Sequence, residues 1–355
     1  KKNLLKYSNY QKYLKIWIDI LTPKQLLFSE PIIEKLGQKH EILSTSREYN
    51  EVSKLAKIRH LKLIFVGKHG GGDKENKLRA SIDRLEKLSN KIKKFEPDLV
   101  ISFGSPEAAR ISFGLGIKHI MFCDSPHANA VMKLTLPFIQ KLLIPYVIPK
   151  KEFSKFGINQ KDIVQYKAID AIVTIKRKTN ESINSPFKNN GKKNILIRVE
   201  EEQAAYTTKS SKIISIIQQI GKDYKNENIV VLGRYPKQIE NLQKLIDKKI
   251  KVTKMSFDGK ILLNETDVFI GSGGTMTAES ALMGIPTISY NAVPNLIENF
   301  LVKKSLVKRE TVPINVSKEI KRIFERKNDQ NQKRVKKIVN QMEDPLKKLE
   351  KIIKN

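Results

Sequence analysis

Short apolar runs of strand length alternate with helix-length amphipathic segments along this 355-residue sequence, and the alternation stops and restarts once. KIWIDI (15–20), KLIFVG (62–67), DLVISFG (98–104) and HIMFCD (119–124) are mostly apolar, as strands covered on both faces are, and HEILSTS (40–46) reads as a further strand. Between them, QLLFSEPIIEKLG and segments 48–59 and 75–95 space their apolar residues three and four apart. The longest puts Leu78, Ile82, Leu85, Leu88 and Ile92 on one helix face. A polar stretch, KTNESINSPFKNNGKKN (178–194), breaks the pattern with Pro186 and Gly191. The alternation resumes with NILIRVE (194–200), NIVVLGR (228–234), KVTKMSF (251–257), DVFIGSG (267–273) and PTISYN (286–291), with helices at 209–221, 236–248, 274–284 and 315–326.

Alternation of this kind predicts an α/β chain whose parallel sheets carry helices on both faces. The length exceeds one core and predicts two Rossmann-like domains. The expected boundaries are 1–177, a linker at 178–193, 194–328, and basic helices at 329–355. Hydrophobic residues make up 40%, which excludes wholesale disorder. One cysteine, Cys123, excludes a disulfide framework and fits a reducing cytosol. No apolar run reaches transmembrane length and no signal-peptide pattern opens the sequence, so a cytoplasmic protein is expected.

The formal charge is +30, from 67 basic and 37 acidic side chains. The basic residues are not interleaved with aromatics, and no zinc-finger or basic-zipper spacing occurs, so nucleic acid is not the expected partner. The charge reads as a composition rich in Lys, Asn and Ile. The densest basic run, Lys333 to Lys354, reads as a solvated helix face or a surface for anionic lipid on the inner membrane face, and the apolar segment 131–149 as a buried helix and strand or a membrane-docking patch.

Residues 267–290, DVFIGSGGTMTAESALMGIPTISY, carry the strongest chemical signal. An apolar strand runs into Gly271, Ser272, Gly273 and Gly274, and a helix begins at once. Glycines at such a turn let an anion approach the backbone, and the helix start offers amide donors and positive dipole to a diphosphate. Thr275 adds a hydroxyl, and Glu279, a turn further on, suits two ribose hydroxyls. Arg198 and Arg234 each end a strand of this half and are expected to face the same diphosphate. In open parallel sheets ligands gather at the carboxyl ends of strands. That rule selects Asp19, His69, Asp124 and His127 as candidate catalytic groups, and Thr22, Ser105 and Glu107 as acceptor contacts. No Asp-x-Asp and no zinc-ligand spacing is present, so neither a metal nor another cofactor is expected. The first strand lacks a following G-x-G-x-x-G, and Asp73-Lys74 stands where a P-loop needs Lys then Ser or Thr.

GSGGTMTAES…GIPTISY resembles the donor-nucleotide motif of GT-B glycosyltransferases and of the related UDP-N-acetylglucosamine 2-epimerases. Its Ser272-to-Glu279 spacing is similar to that of the transferase adding N-acetylglucosamine to the lipid-linked peptidoglycan precursor, which implies that Glu279 holds the ribose of UDP. WIDILTP (17–23), GKHGG (67–71), SFGSPEAARISFGLGI (102–117) and DSPHA (124–128) resemble the archaeal family called domain of unknown function 354, regarded as glycosyltransferases. The sequence departs from that pattern at Ile20-Leu21-Thr22 and Lys24-Gln25-Leu26. The resemblance implies a GT-B fold, two Rossmann-like domains facing an interdomain cleft, with the C-terminal helices crossing back onto the first. It implies a metal-independent glycosyltransferase taking a nucleotide-sugar, with UDP the expected carrier, and a glycan or lipid-linked acceptor. The alternatives are an epimerase of UDP-N-acetylglucosamine, with Asp19, Glu107 and Asp124 as its carboxylates, and a non-catalytic nucleotide-sugar or polyanion binder.

Overall fold

The structure, a computed structural model, describes residues 13–179, 185–200, 212–254, 258–292, 294–326 and 329–354. The chain forms two compact units, one of residues 1–144, 149–166 and 344–355 and the other of 145–148 and 167–343. Residues 167–177, read from sequence with the first half, thus belong to the second unit, and the chain end belongs to the first.

The first unit is built on a seven-stranded sheet of β1 (Lys15–Ile20), β2 (Glu41–Glu48), β3 (Ile64–Lys68), β4 (Leu99–Ser102), β5 (Lys118–Phe122), β6 (Lys141–Pro145) and β7 (Ile163–Tyr166). Its order is β3-β2-β1-β4-β5-β6-β7. The second has β8 (Asn194–Arg198), β9 (Asn228–Gly233), β10 (Lys251–Lys254), β11 (Val268–Gly271), β12 (Thr287–Ser289) and β13 (Lys308–Arg309), in the order β10-β9-β8-β11-β12-β13. The resolved strand pairings are parallel, with Asp19 opposite Ser102 in the first sheet and Ile270 opposite Ile197 in the second. Both sheets wind outward in two directions from their first strand. The order therefore reverses between β1 and β4, and again between β8 and β11, which is where such sheets bind ligands.

Both cores follow the apolar runs. Ile16, Trp17, Ile18 and Ile20 of β1 are fully enclosed, as are Ile195, Leu196 and Ile197 of β8. The helix Lys74–Phe95 differs from its expected face. Leu88 and Ile92 are buried with Arg84, four residues apart each, while Leu78 and Ile82 are 61% and 56% exposed. A 22-residue helix outruns a five-residue strand beneath it, so its first turns have no core to cover. Most of the apolar segment 131–149 is core of the fold. Met132, Leu136, Leu142, Leu143, Ile144 and Ile148 are buried, because the segment contains the end of a helix and the whole of β6. No helix among the described residues is long and apolar enough to cross a membrane.

Candidate functional site

In the second unit, β11 runs through Gly271 into Ser272-Gly273-Gly274, and the helix Thr275–Leu282 follows. Gly273 takes φ +95°, a conformation reserved in practice for glycine. A Cβ on Gly271 would lie 2.4 Å from Thr277 Oγ1 and 2.6 Å from the Phe269 ring, so no larger residue fits there. The helix N-cap is Gly274, and no side chain caps it. No bond joins the Gly274 or Thr275 amide to another described residue. The Gly273 amide differs: it donates to Thr277 Oγ1 at 3.2 Å, so it braces the turn and Thr277 points inward. Ser272, Thr275 and Glu279 are half-buried beside the open amides.

The turn is held from outside. Asn295 caps the helix Leu296–Lys303 and its Nδ2 donates to the Gly273 carbonyl at 3.0 Å. Glu298 of that helix is fully buried against Gly273 and ion-paired with Arg309, whose Nε lies 3.0 Å away. Across the switch point, Arg198 closes β8 and donates to the Gly233 carbonyl at 3.1 Å, while Arg234 follows β9 with its amide on Gln238. Tyr290, just past β12, donates to Glu200 at 2.5 Å. Burial first, then the Glu200 charge, raises its phenol well above the ordinary range. Glu200 is thereby a buried structural acceptor; Glu201 and Glu202 lie outside the described residues.

In the first unit, the space between β1 and β4 is filled. Asp19 is 1% exposed and accepts from Thr45 Oγ1 (2.6 Å), Ser105 Oγ (2.6 Å) and two Arg84 nitrogens (2.6 and 3.2 Å). Burial acts to raise its pKa, and the Arg84 charge with these bonds overcomes that and holds it below the ordinary value. Arg84 also pairs with Glu107, which accepts from Ser81 at 2.7 Å. A general base needs a lone pair facing its substrate. Asp19 offers none, so the network orders the sheet rather than moving a proton. Ser105 is fully buried, capping the helix Pro106–Gly114 through the Ala108 amide. It and Glu107 are committed to the network rather than presented to an acceptor.

Thr22 caps the helix Pro23–Gly37, accepting from the Gln25 amide at 3.3 Å. Gln25 ties the end of β1 to the loop after β4, accepting from the Leu21 amide (2.6 Å) and donating to the Phe103 carbonyl (2.7 Å). His69 is stacked on Tyr49, ring centroids 4.9 Å apart, and its Nδ1 accepts from the Gly71 amide at 3.0 Å. In the neutral ring the proton then sits on Nε2, which makes His69 a hydrogen-bond donor there and not a base.

Asp124 and His127 remain. Asp124 follows β5, accepts from Ser125 Oγ at 2.8 Å and pairs with Lys24, whose ammonium also lies 4.5 Å from the Phe103 ring centroid. It does not cap the next helix, which starts at Ala128 without a side-chain cap. Burial lowers the His127 pKa, with Lys24 adding and Asp124 opposing, so the ring is neutral at pH 7. No group of metal-ligating type is clustered among the described residues. Sequence reasoning missed Lys24 and Arg84; a lysine in an apolar first turn, and an arginine on the apolar stripe of a helix, were the available signals.

Similar folds are found among UDP-GlcNAc 2-epimerases and glycosyltransferases. A UDP-GlcNAc 2-epimerase from Neisseria meningitidis, solved bound to UDP-GlcNAc, matches with TM-score 0.72 at 14% identity, over 96% of this chain and 100% of that one. The UDP-GlcNAc 2-epimerase of Methanocaldococcus jannaschii, in complex with UDP-GlcNAc and UDP, gives 0.66 at 15% identity over 92% and 98%. A spinosyn forosaminyltransferase gives 0.63 at 12% identity over 97% and 100%. The fold is therefore GT-B. An uncharacterized protein of M. jannaschii is 28% identical over 302 residues, 82% of this chain and 86% of its own length. The family model described as protein of unknown function DUF354 matches residues 14–355, and the chain belongs to that family.

Proposed function

We propose that the protein is a nucleotide-sugar-dependent glycosyltransferase with UDP as the carrier. The observation that carries this is the helix start at Gly274, where a glycine turn at the switch point of the second sheet leaves backbone donors without a side-chain cap. The amides of Gly274 and Thr275 and the hydroxyl of Ser272 take the diphosphate, Glu279 takes the ribose, and Arg198 and Arg234 supply positive charge to the leaving group. Neutral His127 takes the proton from an acceptor hydroxyl as its oxygen bonds to the anomeric carbon. The bond from that carbon to the diphosphate breaks and UDP departs. Asp124, held by Lys24, orients the ring. The reading needs no metal, because amides and guanidinium groups stabilise the diphosphate.

Transfer is preferred to 2-epimerisation because two of the three carboxylates that an epimerase would draw on, Asp19 and Glu107, are enclosed with Arg84. The test is calorimetric titration with UDP, GDP and inorganic pyrophosphate. UDP binding is expected, and Glu279→Gln should weaken UDP while leaving pyrophosphate unchanged. Gly274→Asp, whose Cβ meets nothing closer than Ser272 Oγ at 3.8 Å, should fold and repel both. A Gly274→Asp protein that still binds UDP would end this assignment. Release of UDP from a UDP-sugar, against exchange of the C2 hydrogen with solvent deuterium, separates transferase from epimerase. Binding without either reaction identifies the non-catalytic alternative.

A further inference from the structure

Two arginines occupy the carboxyl end of the first sheet, and they are bonded in opposite ways. Arg84 has all three nitrogens engaged: Nε to the Val66 carbonyl at 3.1 Å, one terminal nitrogen to Asp19 and Glu107, the other to Asp19. Arg47 makes no side-chain hydrogen bond or ion pair with any described residue, and its Nε–H is enclosed without an acceptor. A buried donor left so is a cost to the fold that a hydrogen bond from a bound ligand would relieve.

Its place in the sheet is also unusual. Arg47 lies two residues beyond Thr45, on the face that carries Thr45 and Asp19. There the pairing of β2 with β3 slips: Ser46 opposes Phe65 but Glu48 opposes Lys68, so Arg47 alone faces Val66 and Gly67. Irregularities of this kind re-aim a side chain and are frequent beside functional sites. Gly67 permits it, at φ +70°, with the Cβ of Arg84 where its own would be. Burial weighs most on the Arg47 guanidinium, and the charges it feels are those of Glu107, Arg84, Asp19 and Tyr49, so it stands beside the buried network. Arg84 balances only one of the two carboxylates, so the enclosed network carries one net negative charge and Arg47 is the next cation outward.

We propose that Arg47 recognises an oxyanion, phosphoryl or carboxylate, carried by the second substrate of the reaction proposed above. The alternation of charge then continues: buried carboxylates, guanidinium, substrate anion. A guanidinium with unspent donors is matched to both oxyanions by its planar fork. The inference rests on the transferase reading only for the word substrate; the anion site itself stands on Arg47.

The test uses the full chain with 15N-labelled arginine. The Arg47 Nε–H resonance is assigned by its loss in Arg47→Gln, and Arg84 Nε–H serves as an internal report that the buried network is intact. Inorganic phosphate and acetate are titrated separately. A saturable shift of the Arg47 signal is expected with at least one; phosphate assigns a phosphoryl group and acetate alone a carboxylate. Arg47→Gln should weaken the responding anion about tenfold or more, read on Arg84, with partial recovery in Arg47→Lys. If neither anion moves the Arg47 resonance, the inference is wrong. UDP titrated into the same samples is read for the second unit on the Nε–H resonances of Arg198 and Arg234. Retained UDP binding with a silent Arg47 overturns only this inference, and a responsive Arg47 without UDP binding overturns only the nucleotide reading.

Discussion

Replacing Arg84 by methionine removes a fully buried cation while keeping most of its volume, and leaves Asp19 and Glu107 enclosed without their counter-charge. Breaking a buried pair from one side costs about 3–5 kcal/mol, because the remaining charge stays desolvated. At about 2–4 °C per kcal/mol for a unit of this size, the first unit should melt about 6–20 °C lower at pH 7. The sign of the pH dependence is the sharper test. In the native protein the Asp19 pKa is lowered, so its contribution is present above the unfolded value near 3.9 and is lost as pH falls through the folded one. In Arg84→Met burial, the largest influence on Asp19, is opposed only by the Ser105 and Thr45 hydrogen bonds and the more distant Arg47, so its pKa rises relative to the native protein. The variant's deficit should therefore shrink between pH 7 and pH 4.5 as the carboxyl protonates. Differential scanning calorimetry across that range reads both. A deficit below about 1 kcal/mol at pH 7, or one that does not change with pH, would refute the view that the network is an ionic keystone.

His119 is enclosed between Ser102 (2.8 Å) and Ser112 (3.1 Å), and burial lowers its pKa to about 3; its NMR shifts should not titrate between pH 8 and pH 5, and stability should fall by about 1.4 kcal/mol per pH unit below 6.5, where only the unfolded chain takes up that proton. Gly273→Ala forces an alanine to φ +95° with its Cβ 3.3 Å from Ser289 Oγ, which should cost about 1–3 kcal/mol in urea unfolding and weaken UDP binding together. Tyr290→Phe strips Glu200 of its 2.5 Å donor and should cost about 1–3 kcal/mol, while the wild-type phenol should resist ionisation in an absorbance titration to pH 11.

The strands that were legible were those buried on both faces and bounded by turn residues, β1, β8 and β11 among them. β6 and β7 were harder. Segment 131–149 is apolar throughout, and periodicity cannot divide such a run into a helix and a strand or tell core from membrane surface. The helices Gly259–Asn264 and Leu296–Lys303 are too short for a repeating stripe to stand out. Candidate site residues were placed at strand ends correctly as positions, yet position does not give partners. Asp19 reads as a base from sequence because the residue that neutralises it lies 65 positions away on a helix. His69 reads as a candidate catalytic group open to substrate because the amide that fixes its tautomer belongs to a glycine two residues on, and nothing in the letters says which ring nitrogen it meets.

The two sheets share one winding and finish it in opposite ways, and that difference argues for which unit holds the nucleotide. Between β1 and β4 the space is taken by side chains: the charged Asp19, Arg84 and Glu107 and the hydroxyl of Ser105 satisfy one another and close the space in which a diphosphate would have to sit. Between β8 and β11 the corresponding turn is Ser272-Gly273-Gly274, and the groups meeting an incoming anion are backbone donors that carry no side chain of their own. A diphosphate brings its charge with it and needs room and donors; an acceptor hydroxyl brings no charge and needs a neutral base. In the reaction proposed above the glycine turn meets the first need and His127, whose pKa burial lowers, meets the second. Grafting charge into the turn by Gly274→Asp should therefore abolish nucleotide binding without touching His127, whereas His127→Gln should leave UDP affinity unchanged and remove transfer. Loss of UDP binding in His127→Gln would mean that the two tasks are not divided between the units in this way.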